Sequence, residues 1–429
     1  MKKLLPISIS ILAATISATA ADWTAAPAAA AADQLSFQAS EVKEPGKFPR
    51  NLFTDYSIPL VSYHLEREPK DFYAHTELRK HPSLAEYQTV HYVPFDDWTS
   101  GFFPGSLWYA YELTGRQDMK ELAEKFTNQL FPVSYQTNTH DLGFMVNCSY
   151  GNAMRLAPKE DYKDVIVRTA DNLIARFDPK VGVIRSWDFG PWNYPVIIDN
   201  MMNLQLLFNA SRITGDSKYR DIAVKHADKT MKCHFRPDYT SYHVVSYTPD
   251  GGIESQGTFQ GKNDDSAWAR GQGWGLYGYT ECYRETKDKK YLDQARAIAK
   301  VIMDKNTAPD LVPYWDLDAR AAADTPRDAS AGAIYASALI ELSTLVPAKE
   351  RKTYREYAEK ILKALASPAY AAKVGENGGF VLMHSTGSLP HGSEIDTPLN
   401  YADYYYLEAL LRLRRVNAGL PAADWASVK

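Results

Sequence analysis

Apolar residues recur at helical spacing along most of this chain, and they come in two kinds of run. In the first kind a single stripe is apolar and the other faces are charged. Ile166, Ala170, Leu173, Ile174 and Phe177 form such a stripe. So do Leu292, Ala295, Ile298, Ala299 and Ile302, and again Tyr354, Tyr357, Ile361 and Leu365. In the second kind apolar and aromatic residues lie all round, at 105–113, 200–213, 266–286 and 328–345. The pattern predicts amphipathic helices alternating with helices covered on both sides.

The alternation is marked by a repeat. Thr114-Gly115-Arg116-Gln117-Asp118, Thr214-Gly215-Asp216-Ser217-Lys218 and Thr286-Lys287-Asp288-Lys289-Lys290 each separate a drier run from a wetter one. In each copy an alanine (Ala123, Ala223, Ala295) follows the threonine by nine positions. Tyr162-Lys163-Asp164 and Tyr354-Arg355-Glu356-Tyr357-Ala358 read as further copies without that lead-in. A unit of two helices repeated about six times predicts an all-α fold, an (α/α)6 toroid with the drier helices inside. Strand patterns are short, at 181–187 and 242–248, and read as hairpin arms in loops. The loops entering the inner helices are the long, polar and aromatic ones, so the mouth of the toroid is the expected site.

The N-terminus has a separate pattern. Lys2 and Lys3 precede an apolar run ending at Ile16, and Ala18-Thr19-Ala20 matches a small-residue cleavage site. Residues 1–20 are therefore read as a secretory signal peptide, 21–45 as an alanine-rich leader or linker, and 46–429 as a single catalytic barrel domain. Export to a bacterial periplasm is the expected location, without membrane insertion.

Composition narrows the chemistry. A hydrophobic content of 45% supports a large core, and a net charge of −4 without a basic stripe argues against a nucleic-acid partner. The three cysteines, Cys148, Cys233 and Cys282, form no CxxC pair and read as buried thiols. No metal constellation, phosphate loop or nucleophile elbow appears, and no cofactor is expected.

Chemistry concentrates in four acidic–aromatic segments placed before inner helices: Asp96 through Gly105, His140 through Phe144, Ile197 through Asn203, and Asn263 through Trp274. The last holds Asp264, Asp265, Arg270, Trp268 and Trp274 threaded with glycine. Indole faces stack on sugar C–H surfaces, and charged groups read hydroxyls and carboxylates, so this mix suits a glycan cleft. Asp264 or Asp265 would also serve as a cap for a helix starting near Ser266. Asp199 follows an apolar stretch and is either a helix N-cap or a desolvated acid; Asp141 is either a turn residue or an acid. His243 taken alone reads as structural, Gln260 as a loop residue, and Arg270 as a helical partner of Asp265 or a ligand for a sugar carboxylate.

These segments, in this order, resemble family 88 of the glycoside hydrolases, the unsaturated glucuronyl hydrolases. The likeness covers Trp98-Thr99-Ser100-Gly101-Phe102, His140-Asp141-Leu142-Gly143-Phe144, Asp199-Asn200-Met201-Met202-Asn203 and residues 264–274. It continues through His384-Ser385, Pro398-Leu399 and Tyr401-Ala402-Asp403-Tyr404-Tyr405. The resemblance implies an (α/α)6 barrel that acts on lyase-generated oligosaccharides and removes the 4,5-unsaturated uronic acid by hydrating its vinyl ether. It implies Asp199 as general acid and base, with Asp141 beside it, and Trp98, His243, Gln260, Trp268, Arg270 and Trp274 as substrate contacts. The indoles are expected to stack on the unsaturated ring. Phe259 departs from the family, where His often precedes the Gln-Gly pair. The loop 383–393 offers His384, Ser385, Ser388 and His391 but no Lys or Arg, which favours an unsulfated or lightly sulfated leaving sugar. The alternatives are an unsaturated rhamnogalacturonyl hydrolase of family 105, a toroid lyase, and a non-catalytic glycan-binding protein.

Overall fold

The computed structural model describes residues 22–53 and 89–429. The expected signal peptide lies outside these residues. Twelve α-helices among the described residues alternate between an outer and an inner ring. The outer helices are α1 (Ala25–Glu41), α3 (Gln117–Asn128), α5 (Glu160–Ile174), α7 (Ser217–Cys233), α9 (Lys289–Lys305) and α11 (Ala348–Leu365). The inner ones are α2 (Phe102–Thr114), α4 (Asn152–Leu156, preceded by the π-helical turns Gly143–Gly151), α6 (Leu204–Thr214), α8 (Ala269–Thr286), α10 (Ala329–Leu345) and α12 (Asn400–Asn417). Each inner helix packs against the next, and α12 closes the ring on α2.

The two hydrophobic patterns sort the helices as expected. Every residue of α10 from Ala329 to Ser343 is buried, as is every residue of α12 from Asn400 to Leu413. The outer α9 buries only Tyr291, Leu292, Gln294, Ala295, Ile298, Ala299 and Ile302.

The threonine repeat has a physical basis. Thr114, Thr214 and Thr286 each donate Oγ1 back to the carbonyl four residues earlier, at 2.6, 2.8 and 2.7 Å, closing the inner helix. The next residue is left-handed: Gly115 (φ 71°), Gly215 (φ 72°) and Lys287 (φ 59°). Glycine carries no Cβ penalty there, whereas Lys287 does. In two copies an aspartate then caps the outer helix, Asp216 to the Lys218 N–H and Asp288 to the Lys290 N–H.

One expectation fails at the N-terminus. Residues 21–45 are not a leader, because most of them form α1, the sixth outer helix. Ala28, Ala31, Ala32, Leu35 and Ala39 are buried at helical spacing, and the helix packs on α2. Gln34 Nε2 donates to the carbonyls of Glu376 and Phe380, at 2.8 and 2.9 Å. Alanine is the best helix former but a weak marker of a buried face, so the stripe lacks contrast in sequence.

Short strands occupy the loops. β1 (Phe48–Phe53) pairs with β2 (Thr89–Val93), and β3 (Phe177–Asp178) with β4 (Val183–Ile184). β5 (Pro195–Ile197), β6 (Val244–Tyr247) and β7 (Ile253–Gly257) make a three-stranded antiparallel sheet at the mouth. All three cysteines are free and buried. Among the described residues no helix is long and apolar enough to cross a membrane.

Candidate active site

The register of this sheet builds the central pair. Ile197 lies opposite Val244, and Val244 opposite Gly257. The residue before β6, His243, therefore lies beside the chain leaving β5, which turns into the 3₁₀ segment Ile198–Asn203 that carries Asp199. The Ile198 N–H donates to the His243 carbonyl at 3.0 Å. His243 Nε2 stands 3.5 Å from Asp199 Oδ2. The residues beyond β7 complete the arrangement, as the N–H groups of Phe259 and Gln260 both donate to His243 Nδ1 at 3.1 Å. A ring nitrogen that accepts two N–H bonds carries no proton, so the imidazole proton resides on Nε2, toward Asp199. Burial pushes the His243 pKa below the ordinary histidine value, against the opposing pull of Asp199. Asp199 sits inside the first turn and caps no helix; the N-cap position is Ile197.

Asp141 reaches the same end from the start of the π-helical turns. A Cβ on Gly143 would lie 2.5 Å from Asn203 Cα, so only glycine lets this segment approach the Asp199 turn so closely. The Phe144 N–H donates to Asn203 Oδ1 at 2.9 Å and locks the two segments together. Asp141 Oδ2 accepts from Thr139 Oγ1 at 2.8 Å, and Oδ1 lies 3.2 Å from His140 Nε2. Ser186 Oγ accepts the Ile197 N–H at 3.0 Å and lies 3.2 Å from His140 Nδ1, which ties the histidine to β5. Burial would raise the Asp141 pKa, but His140, Thr139 and Arg176 together outweigh it and hold the carboxyl below its usual value.

Aromatic contacts trace the cleft wall. Trp98 is half-buried against Phe144 and Tyr401, at ring separations of 5.6 and 5.1 Å. Trp268 packs on His243 at 4.5 Å, and the Arg270 guanidinium lies 4.5 Å over the Trp268 ring. Gln260 Nε2 donates to the Gly387 carbonyl at 3.3 Å.

Three expectations need correction. Trp274 has no exposed surface and backs Phe144 and Tyr405, so it supports the wall and cannot stack on a ligand. Its place on the inner ring, between α8 neighbours buried on all sides, is the reason. Arg270 is also fully buried. It donates to Asp328 Oδ2 and the Thr386 carbonyl at 2.7 Å and to the Gly387 carbonyl at 2.5 Å, so it holds the 383–393 loop rather than offering itself to a sugar. Finally, α8 begins at Ala269 with no side-chain cap, and Asp264 instead accepts the Thr258 N–H at 2.9 Å.

Trp187 is not singled out by the sequence, while His391 is named there only as part of the 383–393 loop and Tyr401 only within the family likeness. Trp187 stands edge-on to His243 at 6.1 Å and packs on Phe259 at 5.1 Å. His391 closes on the other side of Phe259 at 4.3 Å. Tyr401, between Trp98 and Arg270, has a buried hydroxyl without a hydrogen-bond partner. Asp199 Oδ2, His243 Nε2 and His140 Nε2 likewise lack a partner of good geometry. Buried polar atoms are ordinarily satisfied, at a penalty of about 1–3 kcal/mol each when they are not, so this concentration marks a ligand site. Residues 181–187 read in sequence only as a hairpin arm, and nothing in the spacing of Trp187, Phe189 and Trp192 ties them to Asp199.

The family model for Glycosyl Hydrolase Family 88 matches residues 66–420. Over 330 residues the chain is 49% identical to an unsaturated glucuronyl hydrolase of Formosa agariphila, covering 76% of this chain and 82% of that one. It is 36% identical over 326 residues to an unsaturated chondroitin disaccharide hydrolase of Streptococcus pyogenes serotype M1, covering 74% and 81%. A crystal structure of an unsaturated glucuronyl hydrolase specific for heparin superposes with a TM-score of 0.83 at 45% identity, covering 94% of this chain and 100% of that one. By sequence and by fold, this chain belongs to Glycosyl Hydrolase Family 88.

Proposed function

We propose that this glycoside hydrolase removes the 4,5-unsaturated uronic acid from the non-reducing end of lyase-generated oligosaccharides, with Asp199 as the general acid and base. The observation that carries the reading is Asp199 Oδ2, buried and unsatisfied, facing a histidine whose proton is fixed toward it.

In the first step Asp199, in its protonated form, delivers the proton to C4 of the C4=C5 bond. The cation that develops at C5 is shared with the ring oxygen. The Asp199 carboxylate then takes a proton from water as its oxygen bonds to C5. Asp199 ends the cycle protonated, and one water has been added across the double bond. The C5 hemiketal opens to a ketone, and the C1 hemiacetal left behind expels the shortened sugar as a free hydroxyl. Asp141, held below its usual pKa, is ionised at neutral pH and supplies fixed negative charge near the developing cation. The His243 N–H steadies Asp199 once it has given up its proton. Trp98, half-buried at the mouth, supplies an apolar face for the ring, and Trp268, buried between His243 and Arg270, backs the histidine. The N-terminal pattern supports export, which would place the reaction in a periplasm.

The test is to follow the ultraviolet absorbance of the C4=C5 bond with unsaturated disaccharides from several lyases. Loss of absorbance is expected with the native chain, and Asp199→Asn should slow it by ~10²–10⁴-fold. Full turnover in Asp199→Asn would remove Asp199 from the role, and binding without turnover by the native chain would favour a glycan-binding protein.

A further inference from the structure

A second arginine ties the mouth together, and it comes from the N-terminal strand pair. The pairing of β1 with β2 is interrupted at Arg50: Pro49 lies opposite Tyr92 and Asn51 opposite His91, so Arg50 has no cross-strand position of its own. A bulge of this kind re-aims a side chain. Here the guanidinium turns to two carboxylates from distant parts of the chain. Nε and Nη2 donate to Oε1 and Oε2 of Glu394 at 2.7 and 3.1 Å, and Nη1 donates to Asp97 Oδ2 at 2.8 Å. All three residues are half-buried, and the guanidinium carbon lies 6.0 Å from the Trp98 ring.

Each carboxylate leads to a different part of the cleft wall. Asp97 precedes Trp98, and its Oδ1 accepts the Thr99 N–H and Oγ1 at 2.8 and 2.6 Å, which fixes the turn that carries the indole. Glu394 belongs to a narrow hairpin whose arms pair Ser385 with Thr397 and Ser388 with Ser393. The Gly387 N–H donates to the Glu394 carbonyl at 2.7 Å. A Cβ on Gly387 would collide with the Glu394 carboxylate, so only glycine lets that side chain pass over the opposite arm. Asn51 Nδ2 adds a bond to Glu394 Oε1 at 3.1 Å. The same hairpin carries the Gly387 carbonyl held by Gln260 and Arg270, and His391 against Phe259. Arg50 thus fastens the Trp98 turn and the hairpin to one strand.

We infer that Arg50 is a positioning residue for the hydration reaction: it sets the spacing between Trp98 and the 385–397 hairpin, and with it the affinity for the unsaturated sugar. This rests on the reading above, which seats that sugar at Asp199. Direct contact with the sugar carboxylate is the other role open to an arginine here. Its Nε, Nη1 and Nη2 are already engaged, and two carboxylates outweigh its single charge, so it offers a uronate no net attraction. The planar fork matches Glu394 on one edge and Asp97 on the other, a geometry that an ammonium group cannot copy. The linkage ends at Trp98 and the hairpin rather than at Asp199, so its loss falls on KM rather than on kcat.

The test is steady-state kinetics on an unsaturated disaccharide. Arg50→Ala should raise KM roughly tenfold with kcat within about twofold of native, and Arg50→Lys should recover only part of the loss. Glu394→Gln should raise KM about threefold, and in the double variant with Arg50→Ala the two effects should not add, because both break one linkage. An arginine that merely holds β1 would lower the melting temperature and leave KM alone. An arginine that bound the sugar carboxylate would be freed by Glu394→Gln, and KM would fall. Unchanged KM in folded Arg50→Ala, a loss confined to kcat, additive effects in the double variant, or a lower KM in Glu394→Gln would each overturn the proposal. Should Arg50→Ala fail to fold, Arg50→Lys and Glu394→Gln carry the test, and native KM in both overturns it. If the native chain consumes no unsaturated disaccharide, the hydration reading fails instead. Arg50 is then tested by tryptophan-fluorescence titration with the same disaccharide: weaker binding by Arg50→Lys supports the role, and equal binding, or none by the native chain, overturns it.

Discussion

His243 Nε2 lies 3.5 Å from Asp199 Oδ2 with its tautomer fixed from behind by two backbone N–H groups. The histidine therefore acts on Asp199 as a neutral donor of set direction. Replacing it by alanine should lower kcat roughly 10²-fold, the scale of losing one preorganised donor. His243→Gln, which keeps an N–H in about the same place, should recover part of that loss. Steady-state rates on an unsaturated disaccharide decide the matter, and equal rates for the two variants would count against the donor role.

Phe259 separates backbone from side chain. Its N–H serves His243, while its ring packs on Trp187 and His391. Phe259→Ala should therefore raise KM about three- to tenfold, as expected for lost aromatic packing, and leave kcat nearly intact. A fall in kcat with unchanged KM would place the ring in the chemistry instead.

The sequence carried the fold further than the site. The two hydrophobic patterns and the threonine repeat predicted alternating inner and outer helices because burial and capping act locally. α1 was missed because an alanine stripe gives little contrast, and the π-helical turns before α4 because Gly143 through Gly151 are buried on every side. For the candidate site, the segments carrying Asp199, Asp141 and Trp98 meet at one end of the ring, and Trp268 is buried there behind His243. The roles of Arg270 and Trp274 were not legible, since an arginine committed to Asp328 and an indole buried behind Phe144 look in sequence like ligands. The Asp199–His243 pairing depends on strand register across residues 195–257, which no local pattern reveals.

Arg270 gives a stability prediction. Its ion pair with Asp328 is fully buried, and Asp328 also caps α10 through the Ser330 and Ala331 N–H groups. Arg270→Ala would leave the Asp328 carboxylate buried without its countercharge, at a cost of about 3–5 kcal/mol. Denaturant unfolding should show that loss. Arg270→Lys should rescue little, because one ammonium cannot reach Asp328, the Thr386 carbonyl and the Gly387 carbonyl in the same fork.

Acid should loosen the sheet that carries Asp199. Two histidines buried in the neutral form, His234 and His243, hold it, and a third, His226, holds the adjoining β4. His226 Nδ1 accepts the Ile184 N–H at 3.0 Å, His234 Nε2 donates to the Val196 carbonyl at 3.0 Å, and His243 faces Asp199. Burial lowers all three pKa values, His234 to about 4. Between the unfolded value near 6.5 and the folded one, the unfolded chain binds more protons, so stability falls as pH drops through that window. His234 alone accounts for about 3 kcal/mol lost between pH 6.5 and 4. His234→Gln keeps a donor for the Val196 carbonyl but does not titrate. Its melting temperature should therefore fall less steeply than that of the native chain over the same range. Because Val196 and Asp199 share one strand and its turn, activity should fall with the fold on the acid side, and parallel melting curves for the two proteins would refute the assignment.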